Sequence, residues 1–507
     1  MIQRLASFLL IAAGLYAAEF QNGQAARAVI GQPSFSSRDA GPVAVALTVE
    51  GNRLYAAEAS HHLLTFDVTK VRASNGEPSA SPAGTCAVCG FPAIASTIQS
   101  VMPGLAAIAM FGKTVIMADS ARHRVLVWKD VSLPRSSQGP DVVLGRSGDG
   151  RSGDGSISAS TLADPVSVAF DGRRVFVGDA AFHRVLIWNS VPSQDDQPAD
   201  VVLGQPNFSS AGVAENPGPD TIRDPAALAS DGTNLFVADV PDRRILVFTP
   251  GDFPLSPVAV VNSASLAAGP LAPGTLINIK LNGSPNVPEA RQDGAGRRLS
   301  KKLSGVEVLL DGDAVPLLSV SSTRIEAQLP YDLAAVSAAS LYIRTEHDGA
   351  AGVSNAIAIK IAPAAPGLYA FGGTEPRTGL LLHATPTESG LPGAPVTADS
   401  PARPGEELTV WATGLGLVND SSALSKVVAG VPFSGPAAPV LARLTALVDD
   451  QPVEVRSARL TEGAVGVYEI HILLPDDFAP DPDAELLISQ NGRSSNTIRF
   501  PLSAARP

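Results

Sequence analysis

The chain has 507 residues, 45% hydrophobic and 17% charged, so it is too long for one core and too apolar for a disordered chain. Its 37 Lys and Arg against 49 Asp and Glu give a net charge of −12, which argues against a nucleic-acid partner because phosphate binding needs clustered basic residues. The 46 Gly and 42 Pro are spread along the chain, which favours many short strands joined by turns.

The first residues form a pattern typical of a secretory signal peptide. Arg4 precedes an apolar stretch over residues 5–15, and small residues follow at Ala17 and Ala18. We predict that residues 1–18 are removed on export to the periplasm, the cell surface or the medium. A membrane anchor is the alternative, but the stretch is well short of the ~20 residues that span a bilayer. No later apolar run is long enough either, so we expect a soluble monomer without a membrane span.

A sixty-residue repeat fills the first half of the chain. Its four segments, each with three short strands separated by turns rich in Gly, Asp and Asn, are residues 44–67, 105–130, 166–189 and 226–248. The acidic residue that ends the second strand recurs in steps of 61, 60 and 60 residues, as Glu58, Asp119, Asp179 and Asp239. Such a regular period indicates duplicated structural units.

A fourth strand follows each of the first three segments, in GTCAVCGF (84–91), PDVVLG (140–145) and ADVVLGQPNF (199–208). The same motif stands before the first segment as ARAVIGQPSF (26–35), with no inner strands of its own. Four strands per repeat is the blade of a β-propeller. We therefore predict that residues 26–249 form a four-bladed propeller, in which residues 27–30 complete the last blade beside the strand of Ile245 and Val247.

These segments resemble the NHL-repeat family. DPVSVAFDGRRVFVGDAAFHRVLIW (164–188) is similar to the family's order of strand, acidic residue, His-Arg and aliphatic strand, and the likeness covers roughly residues 26–250. The resemblance implies a β-propeller. NHL propellers more often have six blades built from shorter repeats, so a count of four departs from the family.

Three segments carry a histidine four residues after the acidic residue: His62, His123 and His183. With the carboxylates they could bind a metal near a propeller axis. The fourth segment has Asp242-Arg243 where the histidine is expected, which breaks such a ring. We predict instead that each histidine bonds the acidic residue of its own hairpin and stays structural. The arginines of these hairpins, expected on the rim, are Arg124, Arg184 and Arg244. No metal, cofactor or catalytic residue is predicted.

Cys86 and Cys89 are the two cysteines of the chain. In an exported protein this pair predicts a disulfide. A redox or metal role is the alternative, but there is no second cysteine pair, no histidine after Cys89 and no βαβ pattern around the motif.

The second half contains two copies of one module. After a linker at 250–257, residues 258–362 and 366–505 share landmarks in the same order, among them SNAIAIKI (354–361) and SNTIRFPL (495–502). Each copy offers about seven short alternating strands, the pattern of an Ig-like sandwich.

The same residues resemble an uncharacterised C-terminal domain family of exported acidobacterial (Solibacter-type) proteins. The motifs are VVNSASLAAGPLAPGTLINI (260–279), IEAQLP (325–330), APGLYAF (365–371), VWATGLG (410–416) and VGVYEIHILLP (465–475). They are similar to IPT/TIG-type sandwiches more loosely. Neither resemblance supplies a catalytic residue.

A polar insert at 282–305 interrupts the first copy. It contains a basic cluster, Arg297, Arg298, Lys301 and Lys302. We predict a solvated loop, because a loop without apolar anchors usually stays mobile. An anchor for an acidic surface polymer is the alternative.

Two hypotheses of function follow from the sequence. The first is an exported binding or scaffold protein, whose propeller face meets an extracellular protein or glycan and whose sandwiches act as spacer or docking modules. The second is a propeller enzyme, such as a metal-dependent lactonase or lyase, with a site in the central channel. An enzyme would need several polar side chains converging on the axis. The chain has no G-x-S-x-G elbow and no H-E-x-x-H motif, so binding is favoured.

Overall fold

A computed structural model of the protein shows an all-β chain, and the residues that it describes include three short 3₁₀ turns, at Ser120–Arg122, Ala180–Phe182 and Asp332–Ala335. It describes residues 18–58, 60, 62–69, 85–86, 105–131, 139–145, 156–252, 257–282, 289–292, 297–347, 350–384, 393–419 and 427–504. Within these ranges, no helix has the length and apolar character needed to cross a bilayer.

Residues 28–248, here called the four-sheet unit, contain four separate four-stranded sheets. In chain order the strands are β1 (Ala28–Ile30), β2 (Ala44–Glu50), β3 (Arg53–Glu58), β4 (Leu63–Asp67), β5 (Thr85–Cys86), β6 (Leu105–Phe111), β7 (Thr114–Asp119), β8 (Arg124–Trp128), β9 (Val142–Leu144), β10 (Pro165–Phe170), β11 (Val175–Asp179), β12 (Arg184–Trp188), β13 (Val201–Leu203), β14 (Pro225–Ser230), β15 (Leu235–Asp239) and β16 (Arg244–Phe248). The first three sheets have the orders β2-β3-β4-β5, β6-β7-β8-β9 and β10-β11-β12-β13. Each sequence segment therefore supplies three consecutive antiparallel strands.

The last sheet takes its outer strand from the beginning of the chain, in the order β1-β16-β15-β14. Ala28 pairs with Val247, and Ile30 pairs with Ile245, in antiparallel register. All three residues of β1 are buried. The pairing predicted from the isolated N-terminal motif is thus confirmed.

The four sheets follow one another through their first strands, which contact each other in the order β6, β10, β14 and β2. Hydrophobic clusters fill the spaces between neighbouring sheets: Ile116 and Val177 share one, and Leu54 and Phe236 share another. Within the described residues, β2 and β6 make no comparable contact, and Ile108 of β6 is 56% exposed. The first and second sheets therefore do not pack on each other as the other neighbours do.

Residues 257–361, the middle region, form two antiparallel sheets around one core. The strands are β17 (Pro257–Asn262), β18 (Leu276–Leu281), β19 (Ala290–Arg291), β20 (Val306–Leu310), β21 (Asp313–Ala314), β22 (Leu317–Val320), β23 (Arg324–Gln328), β24 (Ala338–His347), β25 (Ala350–Val353) and β26 (Ile357–Lys360). One sheet has the order β17-β18-β23-β22-β19, and the other β21-β20-β24-β25 with β26 beside β24. Ile279 and Ile325 of the first sheet share a buried cluster with Val308 and Ile343 of the second.

Residues 367–502, the C-terminal region, form one ten-stranded sheet rather than two separate ones. Its strands are β27 (Gly367–Leu368), β28 (Arg377–Thr378), β29 (Leu381–His383), β30 (Glu407–Thr413), β31 (Leu444–Val448), β32 (Gln451–Leu460), β33 (Tyr468–Leu473), β34 (Asp481–Gln490), β35 (Arg493–Ser494) and β36 (Ile498–Leu502). The ten-residue β32 pairs with β31 through Val453 and with β33 from Glu454 onward. This long strand joins two groups of strands into one sheet, whereas the predicted Ig-like sandwich has two separate sheets.

Candidate functional site

The repeated acidic residues pair with arginines across their own hairpins. In the last three segments the acid ends one strand and stands directly opposite the arginine that opens the next. The side-chain N···O distances are 2.9 Å for Asp119 and Arg124, 3.4 Å for Asp179 and Arg184, and 2.9 Å for Asp239 and Arg244. The arginine therefore takes the position beside the carboxylate that the sequence analysis gave to histidine.

Two of these arginines are buried, which corrects the expectation that they lie on the rim. The Arg184 and Arg244 side chains and their aspartate partners are 0% exposed, whereas that of Arg124 is 27% exposed. Burial raises the pKa of both Asp179 and Asp239 and lowers the pKa of Arg184. The sequence of a hairpin does not reveal whether its arginine is buried, because burial depends on the neighbouring sheets.

The two buried arginines also bind the motif G-Q-P-x-F. Nη1 of Arg184 donates to the carbonyl oxygen of Phe208 at 2.9 Å, and Nη1 of Arg244 donates to that of Phe35 at 2.7 Å. The copy at 31–35 therefore binds the arginine of the last sheet in the same way as the copy at 204–208 binds the arginine of the third sheet.

The histidines contact the following segment instead of their own acidic residue. His123 and His183 have left-handed backbone conformations, with φ of 54° and 52°. Nδ1 of His183 bonds the carbonyl oxygen of Arg223 at 2.6 Å, and Nδ1 of His123 bonds that of Ala163. The predicted bond between these histidines and the carboxylates of their own hairpins is therefore wrong. The arginine occupies the carboxylate, and the imidazole reaches the loop that begins the next segment.

The remaining predicted residues lie in the first segment and in the motif at 84–91 that follows it. Nδ1 of His62 is 3.6 Å from Oε2 of Glu58, and the His62 side chain is 54% exposed. Cys86 ends β5, and Cys89 lies outside the described residues, so the disulfide stays a prediction. No group of three or more His, Cys, Asp or Glu in the described ranges is arranged to hold a metal ion.

The residues just before β1 attach the four-sheet unit to the middle region. Arg27 is 3% exposed, its Nη2 donates to the carbonyl oxygen of Ser354 at 3.0 Å, and its guanidinium lies 5.1 Å from the ring centre of Tyr342. Burial lowers the pKa of Arg27 to about 10. Oγ of Ser340 donates to the carbonyl oxygen of Ala26 at 2.6 Å. These buried polar contacts fix one orientation of the two parts.

A second buried joint connects the middle and C-terminal regions. Oε1 of Gln328 accepts the backbone N–H of Gly430 at 2.6 Å. Oγ1 of Thr413 accepts the N–H of Leu276 at 3.0 Å and donates to the carbonyl oxygen of Gly466 at 2.8 Å. Because a buried polar group is costly when unpaired, these bonds restrict movement of one region against the other.

A cleft of about 720 Å³ lies where the three regions meet, and we call it the junction cleft. Pro33 and Ser34 come from the four-sheet unit and residues 427–429 from the C-terminal region, while the middle region lines the rest. Small-molecule sites commonly occur at domain interfaces and have volumes of roughly 300–1,000 Å³. The junction cleft has that position and size.

Five charged residues line the junction cleft: Arg298, Lys301, Asp311, Asp313 and Asp332. None of them forms an ion pair with another described residue. Oδ1 of Asp311 accepts the N–H of Ser340 at 2.7 Å. Burial, together with the nearby charge of Asp313, raises the pKa of Asp311 to about 7. The cleft thus holds donors and acceptors that the protein leaves without charged partners.

The basic insert is partly anchored, which corrects the prediction of a solvated loop. Leu299 is 3% exposed, and its N–H donates to the carbonyl oxygen of Gly430 at 2.7 Å. This apolar anchor holds Arg298 and Lys301 at the cleft, whereas Lys302 pairs with Glu346 at 2.6 Å. The feature of the sequence that could have predicted this anchoring is the apolar Leu299 among the basic residues of the insert. Residues 283–288 and 293–296 of the insert lie outside the described ranges.

A buried histidine cluster in the C-terminal region escaped the sequence analysis. Nδ1 of His383 bonds Oε1 of Glu406, and its Nε2 lies 3.1 Å from both Oγ and the carbonyl oxygen of Ser400. A carbonyl only accepts, so Nε2 carries a hydrogen and donates. The imidazole thus links the end of β29 to Glu406 and to Ser400 inside the C-terminal region.

Comparisons with known proteins leave the chain without an assigned family. No family model matches it, and no curated protein matches it. Among solved structures, the computationally designed Ika4 protein has a TM-score of 0.17 at 13% identity, covering 44% of this chain and 99% of its own. The titin Ig tandem A164-A165 has a TM-score of 0.14 at 7% identity, covering 46% of this chain and 91% of its own. An endo-fucoidan hydrolase of glycoside hydrolase family 107 has a TM-score of 0.13 at 10% identity, covering 40% of this chain and 24% of its own. Likenesses this weak carry no argument about fold or function.

Proposed function

We propose that the protein is an exported binding or scaffold protein, in which a four-bladed β-propeller and two Ig-like sandwiches hold a ligand site at their junction. Four four-stranded meanders and the completion of the last one by β1 support the propeller. Two sheets around one core support an Ig-like sandwich in the middle region. The NHL and Solibacter-type resemblances belong to the same proposal.

The observation that carries the binding function is that all three regions build the junction cleft. The joints around Arg27 and Gln328 are buried, so the walls of the cleft keep their positions before a ligand arrives. A preformed site avoids the entropic cost of ordering on binding. The expected ligand is an extracellular protein or a glycan, which accords with export through the predicted leader at 1–18.

A paired charge reversal tests this proposal. The chain without its leader is screened against an oligosaccharide array and a displayed peptide library, and each ligand is then measured against Arg298→Glu and Arg297→Glu. Both arginines are exposed, but Arg298 lines the cleft and Arg297 does not. We expect Arg298→Glu to abolish binding and Arg297→Glu to preserve it. Ligands that are indifferent to Arg298, or the absence of any ligand in both screens, would contradict the proposal.

A further inference from the structure

We infer that the ligand of the junction cleft is a short oligosaccharide, bound through its hydroxyl groups by the unpaired cations and carboxylates of the cleft. This inference rests on the binding function proposed above and names its ligand class. Three features carry it: the mixture of charges, the apolar walls and the position of Asp311.

The mixture of charges disfavours a ligand with a single strong charge. An anion would be attracted to Arg298 and Lys301 but repelled by the aspartates, and a cation would meet the opposite problem. A sugar hydroxyl both donates and accepts hydrogen bonds, so a polyol can satisfy the cations and the carboxylates together. Hydrogen bonds to charged groups are also stronger than neutral ones.

Apolar side chains separate these charged groups. Pro33, Pro330 and Leu333 line the cleft, and Val428 at its C-terminal wall is 44% exposed. The apolar C–H faces of a sugar ring can pack on such side chains while its hydroxyl groups form hydrogen bonds with the charged groups. A volume of about 720 Å³ suits a small-molecule site. A folded protein partner buries a much larger and flatter surface, so the cleft favours the glycan.

Asp311 provides an oriented acceptor inside the cleft. The Ser340 N–H fixes its Oδ1 at 2.7 Å, and no described residue donates to its Oδ2. The charged and titratable groups around it in the cleft are Asp313, Asp332, Arg298, Lys301 and Tyr331. Since the pKa of Asp311 is raised to about 7, the carboxylate becomes a full acceptor only above neutral pH. Hydroxyl binding should therefore strengthen as the pH rises from 6 to 8.

The test is calorimetric titration of the chain without its leader. The probes are cellotetraose, laminaritetraose, maltotetraose, tetragalacturonate and spermidine, each at pH 6 and pH 8. We expect at least one neutral tetrasaccharide to bind more tightly at pH 8. Asp311→Asn should weaken that binding by roughly tenfold or more at pH 8 and remove the pH dependence.

The asparagine keeps an oxygen for Ser340 and tolerates the left-handed backbone of Asp311, which has a φ of 50°. Asp483→Asn, at a surface position that does not line the cleft, is the matched control and should leave affinity unchanged. Binding of only tetragalacturonate or only a displayed peptide, lost in Arg298→Glu, would overturn the neutral sugar and retain the proposed binding function. Binding of only spermidine, weakened in Asp311→Asn, would also overturn the neutral sugar. No cleft-dependent ligand of any class would overturn both.

Discussion

A single substitution at Arg244 should severely damage the last sheet of the four-sheet unit. Its Nε donates to Oδ2 of Asp239 at 3.0 Å, and its Nη2 donates to the carbonyl oxygen of Thr221 at 2.8 Å. Its Nη1 bonds the carbonyl oxygen of Phe35, so the side chain also holds the N-terminal motif. In Arg244→Met the apolar volume remains, but a fully buried carboxylate loses its counter-ion.

The expected cost is about 3–5 kcal/mol, because removing one partner leaves the other charge buried and unpaired. Arg124→Met is the matched control at the same position of an earlier repeat. Arg124 is 27% exposed, and Arg122 also pairs with Asp119, at 3.2 Å. Because solvent reaches Arg124 and Arg122 still neutralises the buried Asp119 carboxylate in the variant, the cost should be close to the roughly 0–1 kcal/mol of a surface pair. The two variants should therefore differ by roughly 2–5 kcal/mol although the same substitution is made at the same position of the repeat.

Hydrogen exchange followed by mass spectrometry measures this difference region by region, which suits a chain that need not unfold in a single step. Peptides covering β15, β16 and β1 should lose protection in Arg244→Met and keep it in Arg124→Met. Loss of the arginine raises the pKa of Asp239 further, so the damage should be greater at pH 8 than at pH 5. Equal exchange in the two variants, or damage independent of pH, would refute the reasoning.

Three further predictions concern other parts of the chain. His183→Ala should cost about 1–3 kcal/mol and increase exchange in the segment that begins near Arg223, whereas exchange confined to its own hairpin would contradict the contact we describe. The pKa of Asp311 is raised from 3.8 to about 7 in the folded state, so the wild type should lose about 4 kcal/mol of stability as the pH rises from 4 through 7. Asp311→Asn should remove this loss and melt at a higher temperature than wild type at pH 8; a parallel pH profile of melting temperature would count against it. Replacing Cys86 and Cys89 by serine should cost at most about 2 kcal/mol, because a disulfide between them closes a very short loop, and a complete failure to fold would speak against a purely structural bond.

The features that the sequence predicted well are local or repeated. The period of 60 residues located the strands of the four-sheet unit, and the isolated motif at 26–35 predicted the pairing of Ala28 with Val247. Both signals are strong because strand alternation and turn residues are encoded within a few positions. The long β32 shows the limit: the sequence indicates a strand but not that it joins two groups of strands.

The candidate site was not predictable for a different reason. Pro33, Asp311 and Val428 belong to three regions, and no spacing in the sequence relates them. The prediction of the histidine contacts was wrong for a similar reason. A left-handed backbone at His183 turns its side chain to a neighbouring segment. In both cases the decisive partner is far away in the chain, and local patterns carry no information about it.

The histidine contacts also affect how the number of repeats in such a chain can change during evolution. His123 and His183 each reach a carbonyl 40 residues ahead, so the second and third segments each make the same contact with the segment that follows. A tandem duplication within the array would supply both halves of this contact at once and needs no change in the flanking segments. β1 has no such freedom, since one strand serves one terminal sheet. Relatives with a different number of segments should therefore have gained or lost whole sixty-residue units between the first and the last, leaving the N-terminal strand unchanged.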